Sequence, residues 1–398
     1  MQSLTLRTPP NTRVNETMPS PNAATITVEI PTGLLALRAR DGNDISALCD
    51  VAARANPKRG FLIVSRVLGR HLPTRPAAMR RTMDELGAMV ADDTPEPIVF
   101  LGMAETATAL GQGAFAAYRR RRPGARCAYL QTSRQRVRGA RTIATFEEGH
   151  SHATTHLVQI LGAEVASIVR SARTLVIIDD ECSTGRTFIA CAEAMGPAMP
   201  LLTRIETCCI TDWSDGGYVA DMPIETRIHS VLDGAMEWTP GPTGAATALP
   251  LGSNRPGTAP AAGMRSRTGV MAPESAHRER IEVRVGERIL VLGEGEHSYE
   301  ALLLAEELEA AGAIAAVQCI TRSPALPGGA MRSVSRFTDT YGSGAPCFLY
   351  NLLGHAPDRV VIVSEVAGDQ IAEARAALAE LGADLPVERL ECRYGSAS

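Results

Sequence analysis

The sequence predicts an α/β protein of two domains, each a mainly parallel sheet covered on both faces, joined by a flexible linker. Three observations carry that expectation. At roughly 150 residues per domain, a chain of 398 residues should form two or three cores. Apolar strand-like runs alternate with helical patterns in both halves, as parallel sheets with helical crossovers require. Between the halves, residues 240–273 hold six prolines and six glycines and no hydrophobic run able to build a core.

In chain order, residues 1–24 carry Pro9, Pro10, Pro19 and Pro21 with little apolar periodicity and read as a flexible N-terminal segment. The first domain, 25–240, offers ATITVEI, GFLIVS, PIVFLG, RCAYLQT, TLVIIDD and TRIETCCITD as strands. ETATALGQGAFAAYRRR and GRTFIACAEAM between them are long enough for crossover helices. The Pro/Gly-rich stretch 241–280 is the linker. The second domain, 281–398, has RILVLG, AAVQCIT and DRVVIVS as strands, with helices in YEALLLAEELEAAG and AGDQIAEARAALAELG. In open sheets of this kind ligands bind beyond the carboxyl ends of the strands, so the strand-end loops are where chemistry is sought.

Composition narrows the function. Hydrophobic residues make up 45% and charged residues 21%, balanced to a net charge of −4, which excludes disorder throughout and a basic nucleic-acid coat. No stretch approaches the ~20 consecutive apolar residues of a membrane span. The first residues lack the apolar core of a secretory signal, so a cytoplasmic protein is expected, with neither membrane nor nucleic acid as partner. Nine scattered cysteines without a CxxC pair suggest no disulfide framework and no zinc site.

The strongest site lies in TLVIIDDECSTGRTF, 174–188. A buried strand ends in Asp179 and Asp180, and Ser183, Thr184, Gly185, Arg186 and Thr187 then open a helix. Paired acids at the end of a buried strand need donors. The loop offers hydroxyls and free N–H groups at a helix N-terminus, where a phosphate fits. A phosphorylated sugar meets both demands; a buried acid pair beside an ordinary capped turn is the plainer alternative. A second strand end, VFLGMAETATALG (99–111), places Gly102, Met103, Ala104 and Glu105 in a turn where a residue without Cβ permits close approach of an anion. A tight turn with a capping glutamate would read the same. In 129–157, Arg134, Arg136, Arg138 and Arg141 precede Glu147, Glu148, His150, His152 and His156. An arginine fork suits a pyrophosphate; a solvated basic loop with surface histidines, or a metal on the His-x-His pair, are the other readings.

TLVIIDDECSTGRTF resembles the motif that binds 5-phosphoribosyl-1-pyrophosphate (PRPP) in type I phosphoribosyltransferases. The resemblance implies a Rossmann-like parallel sheet with a hood. It places the ribose 2′- and 3′-hydroxyls on Asp179 and Asp180 and the 5′-phosphate on Ser183–Thr187. It makes Gly102–Glu105 the pyrophosphate loop and Arg134 and Arg136 the cations of a closing loop. Mg²⁺ would be the cofactor, held through PRPP beside Asp179 and Asp180. Dimers are common among such relatives, and a homodimer is the oligomer implied. Ser183 stands where purine-salvage relatives carry an aspartate, which weakens a purine assignment. Trp213 is a stacking platform for the acceptor, or else core or interface.

FEEGHSHATTHL (146–157), ANPKRGFLIVSRVLGRHLP (55–73) and LGMAETATALG resemble the branch found in tellurite-resistance and stress-response gene neighbourhoods. ITRSP at 320–324, with ILVLGEGEHSYEALLLAEEL (289–308) and DTYGSGAPCFLYN (339–351), resembles the TRSP domain that follows this branch. From the residues, Gly293 and Gly295 form a backbone-donor turn beside Arg322 and Ser323, a candidate second ligand site, although Glu294 and Glu296 would repel an anion there. The expected function is transfer of 5-phosphoribose from PRPP to a nucleobase-like acceptor with release of pyrophosphate, in nucleotide-like metabolism linked to stress or tellurite resistance. The alternative is a regulator that senses PRPP or a nucleotide without turnover.

Overall fold

The structure, a computed structural model, describes residues 25–54, 56, 59–147, 155–241, 255–273 and 275–394. The expected N-terminal segment 1–24 lies outside the described residues, as do Glu148, His150 and His152. The first half opens with an antiparallel pair, β1 (Thr25–Ile30) and β2 (Gly33–Ala39). A short helix α1 (Ile45–Leu48) leads to a hairpin of β3 (Cys49–Ala53) and β4 (Phe61–Ser65). GFLIVS is thus a strand, but it pairs within this hairpin, because the short connection before it permits only an antiparallel neighbour. α2 (Pro76–Met89) starts on a proline, whose missing N–H is harmless in a first turn.

β5 (Ile98–Gly102), α3 (Thr108–Arg121) and β6 (Cys127–Gln131) form a parallel crossover. Three short strands follow: β7 (Gln135–Val137), β8 (Arg141–Glu147) and β9 (Thr155–Ile160), the last two an antiparallel pair. The chain then returns through α4 (Ala163–Ser171), β10 (Thr174–Cys182), α5 (Arg186–Met195), β11 (Arg204–Asp212) and β12 (Thr226–Pro240). The sheet order is β1-β2-β12-β11-β10-β5-β6, parallel from β12 to β6. Every residue of IVFLG in β5 is buried, as a strand covered on both faces demands. β10 sits between β5 and β11, so its carboxyl end emerges mid-sheet.

The second half contains β13 (Gly257–Ala259), β14 (Arg288–Glu294), α6 (Tyr299–Ala310), β15 (Ile314–Ile320), β16 (Val334–Thr338) and β17 (Pro346–Tyr350). β18 (Arg359–Ser364), α7 (Gln370–Glu380) and β19 (Val387–Glu391) complete it. A smaller all-parallel sheet runs β15-β14-β18-β19.

The expected flexible linker needs correction. Of that stretch, 242–254 lies outside the described residues, whereas 255–273 is packed structure. β13 pairs in parallel with β7, and Val270 and Tyr129 exchange backbone hydrogen bonds of 2.8 and 2.9 Å. Arg267 is fully buried and bridges Glu296, at 2.7 Å, and Glu365. Prolines and glycines here shape an extended strap whose polar groups pair with the rest of the fold, and that reads in sequence like a linker. The halves also share a core. Ile289, Val291 and Leu302 belong to the same apolar cluster as Phe100, Leu110 and Phe115. Thr74 and Val317 exchange two hydrogen bonds of 2.9 and 2.8 Å, and Arg80 meets Glu306 through two bonds of 2.8 Å. Among the described residues, no helix is long and apolar enough to cross a membrane. All nine cysteines are buried free thiols.

Candidate active site

β10 is apolar up to Ile178 and then presents Asp179, Asp180 and Glu181 at the centre of the sheet's carboxyl edge. The Asp180 backbone N–H donates to Asp179 Oδ1 at 2.9 Å. Burial, reinforced by the charge of Glu181, pushes the Asp180 carboxyl up to about 6. Glu181 itself turns to Arg59, 2.5 Å away, whose guanidinium lies 4.8 Å over the Phe61 ring. The chain next turns at Gly185, with φ +71°, into α5. A Cβ at this position would strike the Tyr218 ring, so both conformation and space require glycine. The first N–H groups of a helix lack intrahelical acceptors, which makes this turn electropositive.

Asp179, Asp180 and the whole turn Ser183–Thr187 line one cavity of about 150 Å³. The register pairs Gly102 of β5 with Ile178, which sets the following turn beside the acid pair. Met103 N–H donates to Ile178 O at 2.9 Å, and Ala104 N–H to Thr132 Oγ1 at 2.7 Å. Thr132 Oγ1 lies 2.9 Å from Nδ1 of His156, a buried ring stacked on Phe146 rather than a surface histidine. Arg134 reaches Ala104 O at 3.2 Å and Thr155 O at 2.9 Å, bracing the turn from β9. Ala104, Glu105 and Arg134 line the cavity; Gly102 and Met103 do not. The room beside Gly102 is filled by the Tyr129 hydroxyl, 2.5 Å from where a Cβ would sit, so close packing there admits no side chain.

Arg136 is not brought to the site. It is the exposed middle residue of β7, and the pairing of β7 with β13 turns it outward. The arginine segment alternates strand and turn: Arg136 and Arg141 lie on β7 and β8, whereas Arg134 sits on the bend before β7 and Arg138 on the turn after it. Trp213 is 5% exposed, packed in a core cluster against Leu232, and does not line the cavity.

The second half contributes directly. Thr321, Arg322, Ser323 and Pro324 line the same cavity as Asp179 and Asp180. Of the separate ligand site expected around Gly293, Gly295, Arg322 and Ser323, the described residues show a cavity of only about 10 Å³, lined by Gly295 and Arg322 but not by Gly293 or Ser323. Gly295 spends its N–H on Ile320 O and its carbonyl on Arg70. A side chain at Gly293 would meet the His297 carbonyl at 2.8 Å. Arg322 pairs with Asp339 at 2.9 Å and approaches Glu105 at 3.9 Å. Glu294 and Glu296 are buried and already satisfied, by Thr340 and Gln370 and by Arg267 and Ser133 respectively. Arg322 and Ser323 thus belong to the first site.

Sequence reading missed Arg59, Leu62, Ile63, His71, Thr321 and Pro324 in this lining. His71 is 4% exposed, and burial beside Arg70 and Arg54 drives its pKa down to about 3, so the ring is neutral. Its Nε2 has no hydrogen-bond partner among the described residues. The TRSP tetrapeptide was visible, but only the fold shows which cavity it faces.

A strand-end acid pair beside a helix N-terminus, at the carboxyl edge of an open parallel sheet, is how doubly wound α/β proteins receive phosphorylated ligands. Residues 48–235 match the family model described as "Phosphoribosyl transferase", and residues 255–381 match "TRSP domain C terminus to PRTase_2". The chain belongs to this phosphoribosyltransferase family, in the form that carries a TRSP domain after the transferase domain. No curated protein matches the chain. Among solved structures it is similar to an adenine phosphoribosyltransferase from Rhodothermus marinus, at 16% identity over 47% of this chain and 94% of that one, with a TM-score of 0.34. It is also similar to that of Trypanosoma brucei in complex with AMP, pyrophosphate and ribose-5-phosphate, at 13% identity over 52% and 87%, TM-score 0.34. A hypoxanthine phosphoribosyltransferase from Staphylococcus aureus gives 16% identity over 41% and 78%, TM-score 0.26. The family assignment rests on the two family models and not on these likenesses.

Proposed function

We propose that the protein transfers 5-phosphoribose from PRPP to a nucleobase-like acceptor and releases pyrophosphate. The observation that carries this reading is the gathering of Asp179, Asp180, Ser183–Thr187, Ala104–Glu105 and Arg134 around one cavity. Asp179 and Asp180 would accept from the ribose 2′- and 3′-hydroxyls and stabilise positive charge developing at C1. The hydroxyls and N–H groups of 183–187 would take the 5′-phosphate, and the 103–106 turn with Arg134 the pyrophosphate.

The donor set fits Mg²⁺ carried in by the substrate. Among the described residues no group of three or more His, Cys, Asp or Glu side chains could hold a metal ion. Asp180, in contrast, is a carboxyl whose burial leaves it short of positive charge. Mg²⁺ is commonly held by one or two carboxylates plus phosphate oxygens, and when bound it supplies neutralisation of the departing charge. The acceptor would lie against Leu62, Ile63 and Pro324, with the neutral His71 ring at its edge. These apolar side chains would give the acceptor ring a face to lie on within a lining that is otherwise mostly polar. The resemblance to the stress-associated branch supports a role in nucleotide-like metabolism linked to stress or tellurite resistance.

The test is incubation with PRPP, Mg²⁺ and a panel of nucleobases, following pyrophosphate and the mass of new ribotides. A base-dependent ribotide with matching pyrophosphate is expected. PRPP binding without pyrophosphate for any base would make the protein a sensor and overturn the reading.

A further inference from the structure

Glu105 joins the two halves of the molecule. Its carboxylate Oε2 accepts from the Thr321 hydroxyl at 2.9 Å and from the Arg322 backbone N–H at 3.0 Å. Arg70 lies 3.7 Å and Arg322 3.9 Å from the same carboxylate. Arg70 also donates to the Glu105 carbonyl and, at 2.7 Å, to the Gly295 carbonyl. The side chains of Arg70, Arg322 and Glu105 are only 2%, 8% and 11% exposed, so these bonds are made largely out of water. A carboxylate held by two donors and flanked by two guanidiniums is not free to take a metal or to repel a phosphate. What it does is fix the peptide it belongs to. That peptide is the turn beside the acid pair, braced on its other side by Arg134.

We propose that Thr321, with Arg322, is a positioning residue of the transferase site: through Glu105 the C-terminal half holds the 103–106 turn in the shape that receives pyrophosphate. This rests on the PRPP reading above. It explains why the TRSP tetrapeptide lies on a cavity whose acids and phosphate turn all belong to the other half. The C-terminal half is thereby part of the site, and its removal would release the turn.

The experiment compares two probes on the full chain by calorimetry: PRPP with Mg²⁺, which needs the turn, and ribose 5-phosphate, which lacks the pyrophosphate and does not. Thr321→Val keeps the shape and removes the donor; Thr321→Ser keeps the donor. A bond to a charged group, lost from a positioned turn, is worth about tenfold in affinity. Thr321→Val should therefore weaken PRPP about tenfold while ribose 5-phosphate stays within about twofold, and Thr321→Ser should restore PRPP. Equal loss of both probes would mean that Thr321 only supports the fold, and unchanged PRPP binding would mean that the contact is idle; either overturns the proposal. Should Thr321→Val fail to fold, Glu105→Gln is read by the same ratio. A parent protein that binds neither probe would defeat the PRPP reading rather than this one.

Discussion

Replacing Asp180 with asparagine should stabilise the ligand-free protein while disabling it. The carboxyl titrates near 3.8 in an unfolded chain and is pushed up to about 6 in the fold, by burial and by Glu181. Between those values the folded chain holds a proton that the unfolded chain has shed, so stability falls as pH rises through the window. A rise of that size means that ionising the carboxyl costs the folded chain about 3 kcal/mol more than the unfolded one. Water in the open cavity screens part of this, leaving about 2 kcal/mol. Asparagine keeps the size and the backbone N–H bond to Asp179 and carries no such cost. Urea unfolding should show Asp180→Asn more stable by about 2 kcal/mol at pH 8, with the advantage shrinking toward zero near pH 4. Turnover of the same variant should drop ~100-fold or more, with a smaller change in PRPP affinity, because the lost charge matters most when the sugar becomes cationic. A variant no more stable than its parent at pH 8, or one whose advantage does not change with pH, would refute the strained-carboxyl account. Undiminished turnover would remove the acid pair from the site.

The two arginines that the sequence pairs should separate in function. Arg134→Ala, which withdraws the brace on Ala104, should weaken PRPP binding about tenfold, whereas Arg136→Ala on the outer face of β7 should leave it within about twofold by calorimetry. Arg267→Ala strands Glu296 and Glu365 as buried carboxylates and should cost about 3–5 kcal/mol in urea unfolding. A cost under about 1 kcal/mol would return the strap to the status of a linker.

Some of this protein is written locally and some is not. The β-strand runs PIVFLG, TLVIIDD and RILVLG declare themselves because a strand buried on both faces must be apolar at nearly every position. The acid pair and the 183–187 turn are equally legible, since β10, the turn and α5 are consecutive and their chemistry depends on neighbours in sequence. β12 is not legible, since TRIHSVLDGAMEWTP mixes polar and apolar residues and is fixed as a strand by β11 and β2 on either side. Residues 255–273 mislead for a related reason: proline and glycine exclude a helix, but whether such a stretch floats or is strapped down depends on partners such as Glu296, Glu365 and Tyr129. Tertiary structure alone decided that Arg134 faces the cavity and Arg136 does not, that His71 is buried and neutral, and that Thr321–Pro324 close a cavity begun more than a hundred residues earlier. Motifs fix which groups a segment can offer. Which groups share a cavity depends on long-range pairing, here the shared core and the Thr74–Val317 bridge, and no local pattern encodes that.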